Sequence, residues 1–135
     1  MARQPVDDSA DRVSRHLSIA LAPGRPTLVW GPYGSGKQWM VTDHLRKTST
    51  PYKEFPALEW ADMLAEQRLR ASRAGVIVLV DAMIAWAEDR EAFAAIVQDP
   101  IITMVALVTT GHDVRPLAPT FASLFSVALR VDVPS

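Results

Sequence analysis

Residues 26–38 read Pro-Thr-Leu-Val-Trp-Gly-Pro-Tyr-Gly-Ser-Gly-Lys-Gln, a short apolar run that breaks into a glycine cluster. The spacing predicts a strand over 26–30, and Trp39, Met40, Val41 and Leu45 carry a helical stripe over 38–47. Between them, Gly31, Pro32, Tyr33, Gly34, Ser35, Gly36 and Lys37 match the first seven positions of the phosphate-binding loop (Walker A) pattern. The glycines Gly31, Gly34 and Gly36 admit backbone angles closed to other residues, so successive N–H groups can face phosphate oxygens. The helix behind adds its positive end, and the Lys37 ammonium is expected on the β- and γ-phosphates. The bland alternative, a glycine turn with a solvated lysine, is disfavoured by the strand-loop-helix context. At the eighth position Gln38 replaces the serine or threonine that would bind Mg²⁺. A neutral amide suits the tight octahedral geometry of magnesium poorly, so weak or water-mediated metal binding is expected.

The stretch 76–80, Val-Ile-Val-Leu-Val, reads as a strand buried on both faces, with Asp81 at its carboxyl end. Asp81 is either a helix N-cap or the carboxylate that steadies a Mg²⁺-bound water; its position after a buried strand favours the second. Helices are predicted over 8–22, stopped by Pro23-Gly24, over 57–73, ended by Gly75, and over 84–98, closed by Pro100. A short helix over 116–124, further strands over 101–108 and 125–133, and a possible edge strand at 52–55 complete the pattern. Strands alternating with helices predict an α/β fold: a three-layer αβα sandwich on a mostly parallel five-stranded sheet, with ligands beyond the carboxyl ends of the strands. No repeat or linker divides the chain. The expectation is a single nucleotide-binding domain over 1–135, with 1–22 as a helix leading into the core.

With 135 residues the chain has the length of one domain. Its 49% hydrophobic and 21% charged residues exclude a disordered tail. A net charge of -1 provides no global field for nucleic acid or acidic lipid, so DNA contact would be local or through partners. The absence of cysteine removes disulfides, thiolate metal sites and cysteine nucleophiles. No span is long and apolar enough for a membrane, and residues 1–8 have no signal-peptide character, so a cytoplasmic protein is expected.

Together, residues 31–37 and Val-Ile-Val-Leu-Val-Asp-Ala at 76–82 resemble the two nucleotide-binding motifs of AAA+ P-loop ATPases. The stretch 101–125 is similar to the sensor strand and following segment of clamp-loader subunits and related replication ATPases. This resemblance implies that Thr110, or Thr109, takes the sensor position, and that Leu117, Pro119, Thr120 and Ser123 match the later segment. It implies ATP or ADP as ligand, Mg²⁺ through Asp81, and assembly with itself or a protein partner.

Three positions depart from that family. Ala82 stands where the glutamate that activates water follows the strand aspartate, Gln38 replaces the metal-binding hydroxyl, and Leu124 replaces the arginine after the serine. With Ser135 as the last residue, no helical lid domain is expected. An alanine cannot act as general base, and Glu88, Asp89 and Glu91 fall one or two turns into the following helix. The expectation is a degenerate AAA+-like nucleotide-binding protein with weak or absent hydrolysis, an accessory in DNA replication or recombination. Alternatives are an active small ATPase or P-loop kinase, with Arg68, Arg70, Arg73 and Arg115 to neutralise phosphates, and a scaffold without nucleotide. The tryptophans are expected in or half in the core, and His16, His44 and His112 show no metal-ligand spacing.

Overall fold

A computed structural model describes residues 5–132 of the chain, with side chains from residue 11 onward. Five strands, β1 (Thr27–Gly31), β2 (Tyr52–Pro56), β3 (Val76–Val80), β4 (Met104–Thr109) and β5 (Val127–Arg130), form one sheet in the order β2-β3-β4-β1-β5. Every pairing is parallel, in agreement with the predicted sandwich. Parallel neighbours require crossover helices. These are α2 (Lys37–Lys47), α3 (Ala57–Asp62), α4 (Ala65–Ala74), α5 (Ala82–Glu88), α6 (Arg90–Val97), α7 (Val114–Leu117) and α8 (Pro119–Ala122), after an initial α1 (Pro5–Ala20).

The chain leaves β1 toward β2 in one direction across the sheet, and every later crossover runs in the other. Right-handed crossovers therefore send α2 to one face and α3–α8 to the opposite face. The two apolar clusters follow this division. Side chains alternate along each strand, so Leu28, Trp30, Ile77, Leu79, Met104 and Ala106 meet Trp60, Trp86, Phe93 and Phe121 from the later helices. On the other face, Val29, Val78, Val105 and Leu107 pack with Val13 and Leu17 of α1 and Met40, Val41 and Leu45 of α2. Phe121 is fully buried and anchors the first cluster, with its ring 5.1–5.8 Å from those of Trp86, Phe93 and Phe125.

The helix predicted over 57–73 is two helices. Arg68 donates from Nε to Trp60 O (3.0 Å) and from Nη2 to Ala61 O (2.8 Å), closing the end of α3, while Met63 and Leu64 take extended backbone. The helix predicted over 84–98 starts at Ala82 and breaks at Asp89, whose carboxylate accepts from Ala92 N (3.0 Å) and caps α6. Residues 101–103 precede β4 rather than join it, and the helix predicted over 116–124 is the short pair α7 and α8. The strand predicted over 125–133 is four residues long; Val133 lies outside the described residues. The first helix spans Pro5–Ala20 rather than 8–22. Among the described residues no helix is long and apolar enough to cross a membrane.

Candidate functional site

β1 lies inside the sheet with β4 on one side and β5 on the other, and β4 separates it from β3. The glycine loop after β1 and Asp81 after β3 are thus two strands apart, with the end of β4 between them. All three strand ends border one cavity of about 470 Å³. Tyr33, Gly34, Gly36, Lys37, Gln38 and Trp39 line it from the loop and the start of α2, Val80 and Asp81 from β3, and Leu107 and Thr109 from β4.

Gly34 (φ 82°) and Gly36 (φ 78°) take the left-handed conformation that glycine admits without strain. Gly31 does not, and here the sequence expectation is corrected: its requirement is a close approach. A Cβ on Gly31 would stand 2.1 Å from the carbonyl oxygen of Val131, because Val131 N donates to Trp30 O (2.8 Å) as the chain leaves β5. Pro32 contributes its carbonyl, which accepts from Ser35 N (3.2 Å). Ser35 is buried beneath the loop with its hydroxyl unpartnered.

α2 begins at Lys37, and no side chain caps it. Its first N–H groups are therefore free to meet an anion at the end of the helix where the dipole is positive. Lys37 is 9% exposed, and among the described residues its ammonium has no hydrogen-bond or ion-pair partner. Burial lowers its pKa from 10.5, and the charge of Asp81 opposes that shift only in part. Asp81 itself holds φ 57° and ψ 49°, a conformation uncommon for a residue with a side chain and one that collects at functional positions. Its N-cap alternative is disfavoured, since its side chain makes no cap bond to α5. A partnerless desolvated cation, an uncapped helix and an orphaned hydroxyl under a glycine loop fit a polyphosphate.

For a divalent ion the protein offers less. Asp81 is the carboxylate on the cavity wall, and among the described residues no three His, Cys, Asp or Glu side chains group as metal ligands. Gln38 does not fold over the loop; its Nε2 donates to Glu54 Oε2 on β2 (2.5 Å). Glu54 went unnoticed in the sequence because nothing in the short edge strand expected at 52–55 ties it to the glycine loop. Its signal was the strand alternation, in which Phe55 turns to the first apolar cluster while Tyr52 meets the second and Glu54 falls on the α2 face.

Thr109, paired in register with Gly31, borders the cavity. Thr110 turns away: its Oγ1 donates to His112 O (3.0 Å) and accepts from His112 N (3.1 Å). Ala82 is wholly buried in the first apolar cluster, and Leu124 packs against the same cluster. Glu88 and Asp89 border a separate cavity of about 270 Å³ with Trp60 and Arg68. Arg115 is held by Asp113 (2.6 Å), and Arg68 is occupied by the end of α3.

Fold and cavity together define an αβα sandwich of the type found in AAA+ proteins. Two solved structures share it: that of Rhizobiales Trip13, an AAA+ ATPase (TM-score 0.64, 14% identity), and that of the replication initiator DnaA bound to AMPPCP and single-stranded DNA (TM-score 0.64, 12% identity). The alignments cover 98% and 97% of this chain but 63% and 47% of those chains, so the chain spans less than two thirds of either. No protein-family model and no curated protein matches the sequence.

Proposed function

We propose that this chain is a degenerate AAA+-like nucleotide-binding protein, one domain over 1–135, that holds ATP or ADP in the 470 Å³ cavity and hydrolyses it slowly or not at all. The observation that carries this reading is Lys37, a desolvated cation under the glycine loop that no hydrogen bond or ion pair holds among the described residues. Gly31, Pro32, Tyr33, Gly34, Ser35, Gly36, Lys37 and Gln38 form the phosphate cradle, with Lys37 on the β- and γ-phosphates. Asp81 holds Mg²⁺ weakly through water, with the nucleotide's own phosphates supplying the remaining ligands. The sensor position expected at Thr110 passes to Thr109, which borders the cavity.

Slow turnover follows from Ala82. At the position after the strand aspartate a buried methyl replaces a general base, and Leu124 supplies no arginine charge; such an arginine can be worth about 10³–10⁵ in rate. A subunit of this kind acts through nucleotide-dependent assembly, with itself or with an active ATPase. Its proposed role is that of a cytoplasmic accessory in DNA replication or recombination, similar in kind to clamp-loader subunits; DnaA, whose structure holds AMPPCP and single-stranded DNA, shares the fold.

Glu54 favours one second reading, an active small ATPase in which this carboxylate, one hydrogen bond from the cavity-lining Gln38, orients water. A P-loop kinase is less favoured, because Arg68 and Arg115 are already engaged. The test is calorimetric titration of ATP and ADP, with and without Mg²⁺, into the wild type and Lys37→Ala, followed by phosphate release. Lys37-dependent binding with little Mg²⁺ dependence and no released phosphate is the expected result. Rapid release that disappears in Glu54→Gln would establish the second reading, and binding indifferent to Lys37→Ala would leave only a scaffold.

A further inference from the structure

The chain has four tryptophans, two tyrosines and four phenylalanines. Phe55 and Trp60 pack on each other, and Trp86, Phe93 and Phe125 pack on Phe121. The Arg130 guanidinium lies 5.6 Å from the Trp30 ring, and Arg46 donates to the Tyr52 hydroxyl (3.3 Å). Among the described residues, the two aromatic side chains left without a ring, cation or hydrogen-bond partner are Tyr33 and Trp39, and both border the same cavity as Lys37.

Trp39 is the third residue of α2, on the helix face opposite the one that packs. Its neighbours Met40 and Val41 turn into the core, while Trp39 stays 55% exposed and Tyr33 91% exposed. Side chains of an α-helix lean toward its N-terminus, which brings the indole over the glycine loop and onto the cavity wall. An indole more than half exposed contributes little to the packing of the fold. The cavity therefore offers a buried cation beside two unoccupied π faces, a combination that matches a polyanion attached to a flat ring.

We infer that Trp39, with Tyr33, is the stacking platform for the nucleobase, which makes the ligand a nucleoside polyphosphate rather than inorganic polyphosphate. This rests on the phosphate cradle proposed above. Stacking uses the π face that every base has, so recognition is base-tolerant: ATP and GTP bind with affinities within a few-fold of each other.

Fluorescence and calorimetry test it with ATP, GTP and inorganic tripolyphosphate as probes, on the wild type, Trp39→Ala, Tyr33→Ala and Lys37→Ala. Trp30, Trp60 and Trp86 are buried, so external quenching reports on Trp39. ATP and GTP are expected to shield it from acrylamide, and tripolyphosphate is not. Trp39→Ala is expected to weaken ATP and GTP by about 5- to 150-fold, the equivalent of ~1–3 kcal/mol of stacking, and to leave tripolyphosphate within twofold. An equal loss for tripolyphosphate, no loss for any probe, or loss of self-association alone would overturn the inference and leave the cradle standing. If the wild type binds neither ATP nor tripolyphosphate in a Lys37-dependent way, the cradle fails and the platform with it.

Discussion

Asp81 raises the proton affinity of Lys37, but burial lowers it by more, so the ammonium that would meet a phosphate is held at a cost in the free protein. Because the native pKa is below 10.5, the unfolded chain binds this proton more readily, and stability is lost as pH falls from 10.5 through the native value. Lys37→Met is therefore expected to raise the melting temperature at pH 7 and to flatten its dependence on pH just below 10.5. The same change should weaken ATP by about 10- to 100-fold, the range of one charge-assisted hydrogen bond. Thermal melts beside calorimetry separate the two effects.

Gly31 and Gly34 should respond differently to alanine. A Cβ at Gly31 meets the Val131 carbonyl at 2.1 Å, so Gly31→Ala must push β5 away from β1. The expected loss is about 2–3 kcal/mol or more, measured by denaturant unfolding. Gly34 has open space around its Cβ position and only its φ of 82° to defend, so Gly34→Ala should cost about 1–2 kcal/mol.

His44 is buried and shares a hydrogen bond of 2.8 Å between its Nδ1 and Ser14 Oγ, joining α2 to α1. Desolvation lowers its pKa from 6.5, against a smaller opposite pull from Asp43. The native state thus keeps the ring neutral while the unfolded chain takes up a proton, so this stability is complete above pH 6.5 and is lost as pH falls toward the native value. Melting temperatures should fall as pH drops below 6.5, and His44→Gln should have a shallower slope there.

Ala82→Glu, which places after the strand aspartate the glutamate that AAA+ ATPases carry there, should not bring about hydrolysis. Ala82 is fully buried in the apolar cluster with Trp86 and Phe121. A carboxylate there is unpaired, and destabilisation of about 3 kcal/mol or more is expected. Phosphate release should stay at the wild-type level; release that rises would mean that α5 swings its first turn toward the cavity.

The strands β1, β3 and β4 were legible because strands covered on both faces are continuous apolar runs, as Val76–Val80 shows. The loop was legible because its glycines and lysine fall at fixed spacing between strand and helix. The break at Met63 and Leu64 was not, since neither residue is a helix breaker and the break is held by Arg68, eight residues beyond Trp60. The break at Asp89 had a local signal, an aspartate heading a helix, hidden by apolar spacing that continues through it. Neighbouring threonines Thr109 and Thr110 differ only in register: pairing with Gly31 puts the first on the cavity, and a turn onto His112 occupies the second. Glu54 and Gln38 lie 16 positions apart, and only the folding of β2 beside α2 joins them.

Val131 presses its carbonyl on the first glycine of the loop and hydrogen-bonds the residue before it. The end of β5 and the first glycine of the loop are thereby one packing unit: a shift of the backbone at Val131 cannot occur without a matching shift at Gly31.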